Sequence, residues 1–173
     1  MANTKYNHII WDWNGTLMND TWLCVEVLNS ILQSRQMPLV SRESYRAQFD
    51  FPVIKYYERL GFDLVTEAFE DLSVEFNNEY DRRREECLLH EDAWTILQSH
   101  AQAGRSQSIL SASHHERLAE IIEYYELTSF FHHLLGLENV HAEGKIDLGR
   151  QCIKALDHDR QEILLIGDTV HDF

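Results

Sequence analysis

Asp12, Ser111, Lys145 and Asp168 are residues whose types, brought together, can move a phosphoryl group. Two carboxylates form a hard-oxygen pair suited to Mg²⁺, which takes carboxylates, waters and a substrate oxygen. A hydroxyl such as Ser111, with backbone N–H groups entering a following helix, can hold phosphate oxygens. Lys145 supplies compensating positive charge. With a cation on one side, the Asp12 carboxylate can attack phosphorus and carry the group as an aspartyl-phosphate. Asp172 follows Asp168 by four residues and can join the pair from a loop or a first helical turn.

Singly, each residue has a plainer reading. "DWNGT" is an ordinary Asn-Gly turn, Ser111 a helix cap, Lys145 a solvated lysine, and Asp168 with Asp172 a capped turn. Their places along the chain favour the chemical reading. Tyr6–Trp13 is a short apolar, aromatic-rich run of the kind that forms a buried strand, and it delivers Asp12. "SQSILSAS" is a second strand with Ser111 near its carboxyl end, "HHLLGLE" a weak third, and "EILLIGD" a strong fourth that ends at Asp168. Between them "EDAWTILQSHAQAG", closed by Gly104, "HHERLAEIIEYYEL" and "GKIDLGRQCIKAL" read as helices, the last starting at Lys145. Strands alternating with helices at this spacing imply a parallel sheet with right-handed crossovers. In such sheets ligands bind beyond the carboxyl ends of the strands, where these residues fall.

The segment from Met18 to Leu89 has a different texture and no comparable strand. "DTWLCVEVLNSILQSR", "SRESYRAQF", "PVIKYYERLGF" and "TEAFEDLSVEFNNEYDRRREECLL" read as successive helices, with Thr21 and Ser41 as N-caps and Pro38 and Pro52 at joints. The expected organisation is an α/β core made of residues 1–17 and 90–173, interrupted by a helical segment, 18–89.

Composition narrows the function classes. Fifteen Lys and Arg stand against 29 Asp and Glu, a formal net charge of -14, which repels nucleic acid and anionic membrane surfaces. No apolar stretch approaches the ~20 residues needed to span a bilayer. Cys24, Cys87 and Cys152 lie far apart without metal-ligand spacing, as reduced thiols in a cytoplasmic protein do. The expected partner is a small phosphorylated metabolite.

The chain resembles the haloacid dehalogenase-like hydrolase superfamily, in its phosphoglycolate phosphatase-like branch. "IIWDWNGTL" is similar to that family's first motif, "SILSAS" to its second, Lys145 in "AEGKIDLG" to its third and "LLIGDTVHDF" to its fourth. The resemblance implies a Rossmann-like, three-layer α/β/α core with an inserted helical cap at 18–89. It also implies that Asp12 is the nucleophile. Mg²⁺ would be held by Asp12, the main-chain carbonyl of Asn14, Asp168 and Asp172. Ser111, Ala112 and Lys145 would bind the phosphate. The family continues past its fourth motif with a helix and a further strand. The chain stops at Phe173, so the core is expected to lack its final strand and to leave "EILLIGD" at a sheet edge.

One position departs from the resemblance. Phosphatases of the family usually carry a second Asp, an acid and base for the leaving group and the water, where this chain has Asn14. An amide can donate and accept hydrogen bonds but cannot transfer a proton at neutral pH. Losing a positioned acid/base typically costs ~10²–10⁴-fold in rate. Three readings stay open. The first is a slow or selective phosphatase that acts on good leaving groups such as acyl phosphates or anhydrides, or borrows an acid from the cap. The second is a phosphonate or other C–X hydrolase of the superfamily. The third is a phosphate-ligand binder without turnover. Arg46, Lys55 and Arg59 in the helical segment are candidate substrate contacts, and His114, His115 and His171 flank the motifs.

Overall fold

The computed structural model describes residues 5–137, 145–156 and 158–169. In chain order its elements begin with β1 (His8–Trp11), β2 (Met18–Asn19), α1 (Thr21–Ser34), α2 (Arg42–Gln48), α3 (Val53–Leu60), α4 (Phe69–Arg83) and β3 (Leu88–Leu89). They continue with α5 (Ala93–Gln102), β4 (Ser106–His114), α6 (His115–Tyr124), β5 (His133–Leu137), α7 (Lys145–Ala155) and β6 (Ile163–Ile166). The chain divides into two units, one of Met1–Met18 with Leu89–Phe173 and one of Asn19–Leu88.

The first unit is built on a four-stranded parallel sheet ordered β5-β4-β1-β6. β1 lies centrally and is buried along its whole length, which explains its apolar Ile9-Ile10-Trp11 run. Side chains alternate between the two faces of the sheet. Ile10 and Leu110 pack with Cys152, Leu148 and Ile153 of α7 on one face. On the other face the Trp11 indole donates to Gln107 Oε1 at 3.0 Å, and Gln107 Nε2 donates to the Leu97 carbonyl of α5 at 3.0 Å. Helices therefore cover both faces, giving the α/β/α layering of a Rossmann-like fold.

The end of β4 is irregular. Leu110 pairs with Leu135, but the next partners are His114 and Leu137, so Ser111, Ala112 and Ser113 stand against Gly136 alone. Glycine is needed there. A Cβ on Gly136 would lie 2.6 Å from His115 Cα and 2.7 Å from the Ser113 carbonyl oxygen. This excess of chain lets β4 run three residues past Ser111. The expectation that Ser111 feeds directly into a helix N-terminus therefore gives way to a bulged strand, with α6 starting only at His115.

The second unit is helical apart from the short strand residues at its two ends. α1 buries Leu23, Val27, Leu28, Ile31 and Leu32, and packs against α2 and α4. Its cap is Asp20, not the expected Thr21, which is already helical; Asp20 is buried and accepts a 2.6 Å hydrogen bond from the Tyr80 hydroxyl. Ser41 caps α2 by accepting from the Ser44 N–H at 3.1 Å. Tyr45, Phe49 and Tyr56 form a ring cluster with centroids 5.0–5.7 Å apart. No described helix is long and apolar enough to cross a membrane.

Candidate active site

β1 ends at Trp11, and the chain keeps its pairing for one residue more, with the Asp12 N–H donating to the Ile166 carbonyl of β6 at 2.8 Å. That bond fixes the backbone of Asp12, a residue only 6% exposed. The following turn closes through Gly15 N–H to the Met18 carbonyl at 2.9 Å and Leu17 N–H to the Trp13 carbonyl at 3.0 Å. Gly15 sits at φ +76°, a left-handed conformation that glycine adopts without strain. The Gly15 carbonyl lies 3.1 Å from His90 Nε2, which ties the turn to the start of the second stretch of this unit.

The turn folds back on Asp168, in the loop after β6. Thr16 Oγ1 lies 3.1 Å from Asp12 Oδ2 and 3.4 Å from Asp168 Oδ1. One hydroxyl has one proton, so the shorter contact to Asp12 is the better hydrogen bond. Two carboxylates within reach of one hydroxyl repel each other, and a divalent cation with oxygen preference would relieve that. The donor set therefore fits Mg²⁺. Among the described residues no three His, Cys, Asp or Glu side chains gather into a metal-holding group. Asp172, the further acid expected here, lies outside the described residues, as does His171.

On the other side of Asp12, β4 brings Ser111 and Ser113 to Asn14. Ser113 Oγ donates to Asn14 Oδ1 at 2.8 Å and Ser111 Oγ donates to the same oxygen at 3.3 Å. Ser111 Oγ in turn accepts the Ser113 N–H at 3.1 Å. Beside this site, a cavity of about 290 Å³ is lined by Trp11, Thr16, Leu17, His90, Ala93 and Ile96.

The structure thus gathers Asp12, Asn14, Ser111 and Asp168, the last on an exposed loop. Ala112 lies within the bulged end of β4. Lys145 is the first residue of α7. Arg46 on α2, and Lys55 and Arg59 on α3, belong to the second unit. Arg46 and Lys55 are exposed. Arg59 is engaged within that unit: its Nη2 donates to the Gln48 carbonyl at 2.7 Å, and Nη1 lies 3.7 Å from Asp50 Oδ2. Thr16, Ser113 and His90 are site residues that the sequence did not single out. Ser113 carried a signal, since positions two apart on a strand share a face. Thr16 carried one too, lying in the same turn as Asn14. His90 carried none.

Residues 9–173 match the family model described as haloacid dehalogenase-like hydrolase. The chain is 18% identical over 172 residues to "Putative pyrophosphatase PpaX" of Caldanaerobacter subterraneus subsp. tengcongensis, covering 97% of this chain and 76% of that protein. Its fold is similar to a crystal structure described as "putative phosphoglycolate phosphatase" from Lactobacillus plantarum, with a TM-score of 0.79 at 14% identity, over 98% of this chain and 80% of the other. It is also similar to Protein Tyrosine Kinase A of Mycobacterium tuberculosis, with a TM-score of 0.81 at 16% identity over 98% and 78% of the two chains. At these identities the structural likeness establishes the fold alone.

Proposed function

The chain belongs to the haloacid dehalogenase-like hydrolase family, and from that premise we propose that it is a Mg²⁺-dependent phosphatase acting on a small phosphorylated metabolite through Asp12. The observation that carries this reading is the pairing of a buried carboxylate, Asp12, with a second, Asp168, across the Thr16 hydroxyl. An acid fixed by its backbone at the end of a central strand is a poised nucleophile, and the pyrophosphatase name of a relative agrees with phosphoryl chemistry. Mg²⁺ would be held by Asp12, the Asn14 main-chain carbonyl, Asp168 and Asp172, and would supply charge neutralisation at the phosphoryl oxygens.

This chain's residues would do the rest. An Asp12 carboxylate oxygen forms a bond to phosphorus while the bond to the leaving oxygen breaks, its electron pair departing with the leaving group. Water then attacks phosphorus and returns the carboxylate. Ser111, Ala112 and Lys145 would hold the phosphoryl oxygens, and residues 18–89 would act as a cap offering Arg46, Lys55 or Arg59 to the rest of the substrate. A cytoplasmic setting goes with three cysteines that form no disulfide.

Phosphate release from acetyl phosphate, p-nitrophenyl phosphate and phosphoglycolate, with and without Mg²⁺, tests the reading. Turnover that needs Mg²⁺ and vanishes in Asp12→Ala is the expected result. Phosphate binding without turnover of any substrate would mark a ligand-binding protein and overturn it.

A further inference from the structure

His90 follows β3 directly, where the chain returns to the unit that holds Asp12. It grips the turn after Asp12 at two carbonyls. Its backbone N–H donates to the Leu17 carbonyl at 2.9 Å, and its Nε2 lies 3.1 Å from the Gly15 carbonyl. A carbonyl oxygen only accepts, so Nε2 carries the hydrogen. The two carbonyls frame Thr16, whose hydroxyl reaches Asp12 Oδ2 and Asp168 Oδ1. Almost any residue at position 90 can make the backbone bond. The ring bond needs a side chain with a donor at this reach.

Gly15 is what gives the ring bond its consequence. With φ +76° and no Cβ, it is the most pliant link of the turn. Its N–H donates to the Met18 carbonyl at 2.9 Å. The Asn14–Gly15 peptide is trans and planar, so the Asn14 carbonyl points the opposite way from that N–H. The peptide on the far side of Gly15 is held in turn, because its carbonyl receives the His90 hydrogen. With both flanking peptides held, the glycine cannot rotate, and the Asn14 carbonyl keeps its direction. Without the ring bond, Gly15 regains a rotation that swings the Asn14 carbonyl against Thr16.

Resting on the phosphatase reading and its Mg²⁺ site, we propose that His90 is a positioning residue for the cation: by holding the carbonyls on both sides of Thr16, it fixes the direction of the Asn14 main-chain carbonyl and of the Thr16 hydroxyl. It touches neither the cation nor the phosphoryl group. Its contribution is to settle in advance the geometry of one oxygen ligand and of the hydroxyl that orients another. Mg²⁺ is the ion for which this counts, since it demands near-ideal octahedral geometry.

The test is the dissociation constant of Mg²⁺ for the full chain, read by calorimetric titration without substrate, so that turnover plays no part. Wild type, Asp12→Ala, His90→Asn and His90→Gln are compared. The Gln amide nitrogen reaches about as far as Nε2, whereas the Asn amide stops near the position of Nδ1. His90→Asn is expected to bind Mg²⁺ about 10–100-fold more weakly than wild type, the usual scale for losing a group that orients ligands. His90→Gln should recover most of that affinity, which a general loss of stability at position 90 would not allow. Thermal unfolding without Mg²⁺ shows that each variant is folded, and His90→Phe replaces His90→Asn if the latter is not. Wild-type affinity in His90→Asn, or equal weakening in the Asn and Gln variants, would overturn the role of His90 and leave the phosphatase reading standing. No binding by wild type, or binding that Asp12→Ala leaves unchanged, would instead sink the Mg²⁺ site and this proposal with it.

Discussion

The Asp168 carboxylate lies so close to Gly15 that a Cβ on the glycine would meet Asp168 Oδ2 at 2.3 Å and Cγ at 2.8 Å. Gly15 also sits at φ +76°, where a side chain is strained by about 1–2 kcal/mol. Gly15→Ala separates these two effects. The backbone strain must be borne by the fold and should lower Tm by about 2–8 °C. The overlap with Asp168 is relieved by swinging an exposed side chain away, which costs the fold little and the site much. Displacement of this order typically costs about 10²-fold in rate. Thermal unfolding and Mg²⁺-dependent phosphate release, measured together, check this; a variant with reduced Tm and full activity contradicts it.

Gly136 presents the opposite balance. The atoms that a Cβ there would meet are backbone, His115 Cα at 2.6 Å and the Ser113 carbonyl at 2.7 Å, and backbone at the junction of β4 with α6 cannot swing away as an exposed side chain can. Gly136→Ala should cost about 1–3 kcal/mol through overpacking and displace Ser113 as well. Gly104→Ala is the natural control, because that glycine has φ +73° with nothing within 4 Å of its Cβ position and faces backbone strain alone. Urea unfolding of both variants should show Gly136→Ala to be the less stable.

Much of the core was legible in the sequence because its strands announce themselves. β1 and β6 are apolar runs flanked by turn residues, and each ends just before an acid that the structure places beside Thr16. Helix α2 could be read from its serine cap because that hydrogen bond is local. What could not be read depends on partners far along the chain. The bond from Ser113 to Asn14 spans 99 residues, and that from His90 to Gly15 spans 75. The excess residues in β4 exist only relative to its neighbour β5, so no periodicity within β4 reveals them. Asp20 stands at the cap position of α1 with its carboxylate held by Tyr80, sixty residues away.

That Asp20–Tyr80 bond makes the next expectation. Asp20 is 2% exposed, and burial first, then the charge of Asp20, pushes the Tyr80 hydroxyl well above the usual phenol range. The tyrosine therefore keeps its proton, and its role as donor, beyond the usual phenol range. Tyr80→Phe would remove the donor and leave a buried carboxylate oxygen to lose it, at about 1–3 kcal/mol. Chemical denaturation should show that loss, and a variant as stable as wild type would mean that the 2.6 Å bond contributes no net stability.

His8, at the start of β1, predicts an acid-side instability. It is fully buried, its Nδ1 lies 2.6 Å from Ser106 Oγ, and its pKa is lowered to about 4 by burial first and then by His158, His132 and His133. The unfolded chain takes up this proton near pH 6.5, while the folded chain refuses it until about pH 4. Stability therefore rises with pH across that window and is lost as pH falls through it, by roughly 2–3 kcal/mol. Above pH 6.5 both states are neutral and the effect is gone. Unfolding free energies of wild type and His8→Phe at pH 7.5 and 4.5 give the comparison. The wild type should lose more between the two conditions, and equal losses would contradict the assignment.

Thr16 offers a test of the metal site that does not pass through turnover. Its hydroxyl donates to Asp12 Oδ2 at 3.1 Å and lies 3.4 Å from Asp168 Oδ1, so it orients the Asp12 carboxylate beside Asp168. Groups that orient ligands in this way typically change metal affinity by about 10–100-fold when removed. Thr16→Val keeps the shape and loses the donor, and it should raise by about tenfold the Mg²⁺ concentration needed for a given rise in Tm. Thr16→Ser, which keeps the donor, should titrate as wild type does. Because the cation binds the folded state, high Mg²⁺ should widen the stability gap between Thr16→Val and wild type, by about 1.4 kcal/mol for a tenfold weaker affinity. If the same Mg²⁺ concentration raises the Tm of all three proteins equally, the hydroxyl does not orient the carboxylates for the cation. If it raises none of them, the pairing of Asp12 with Asp168 is not a Mg²⁺ site.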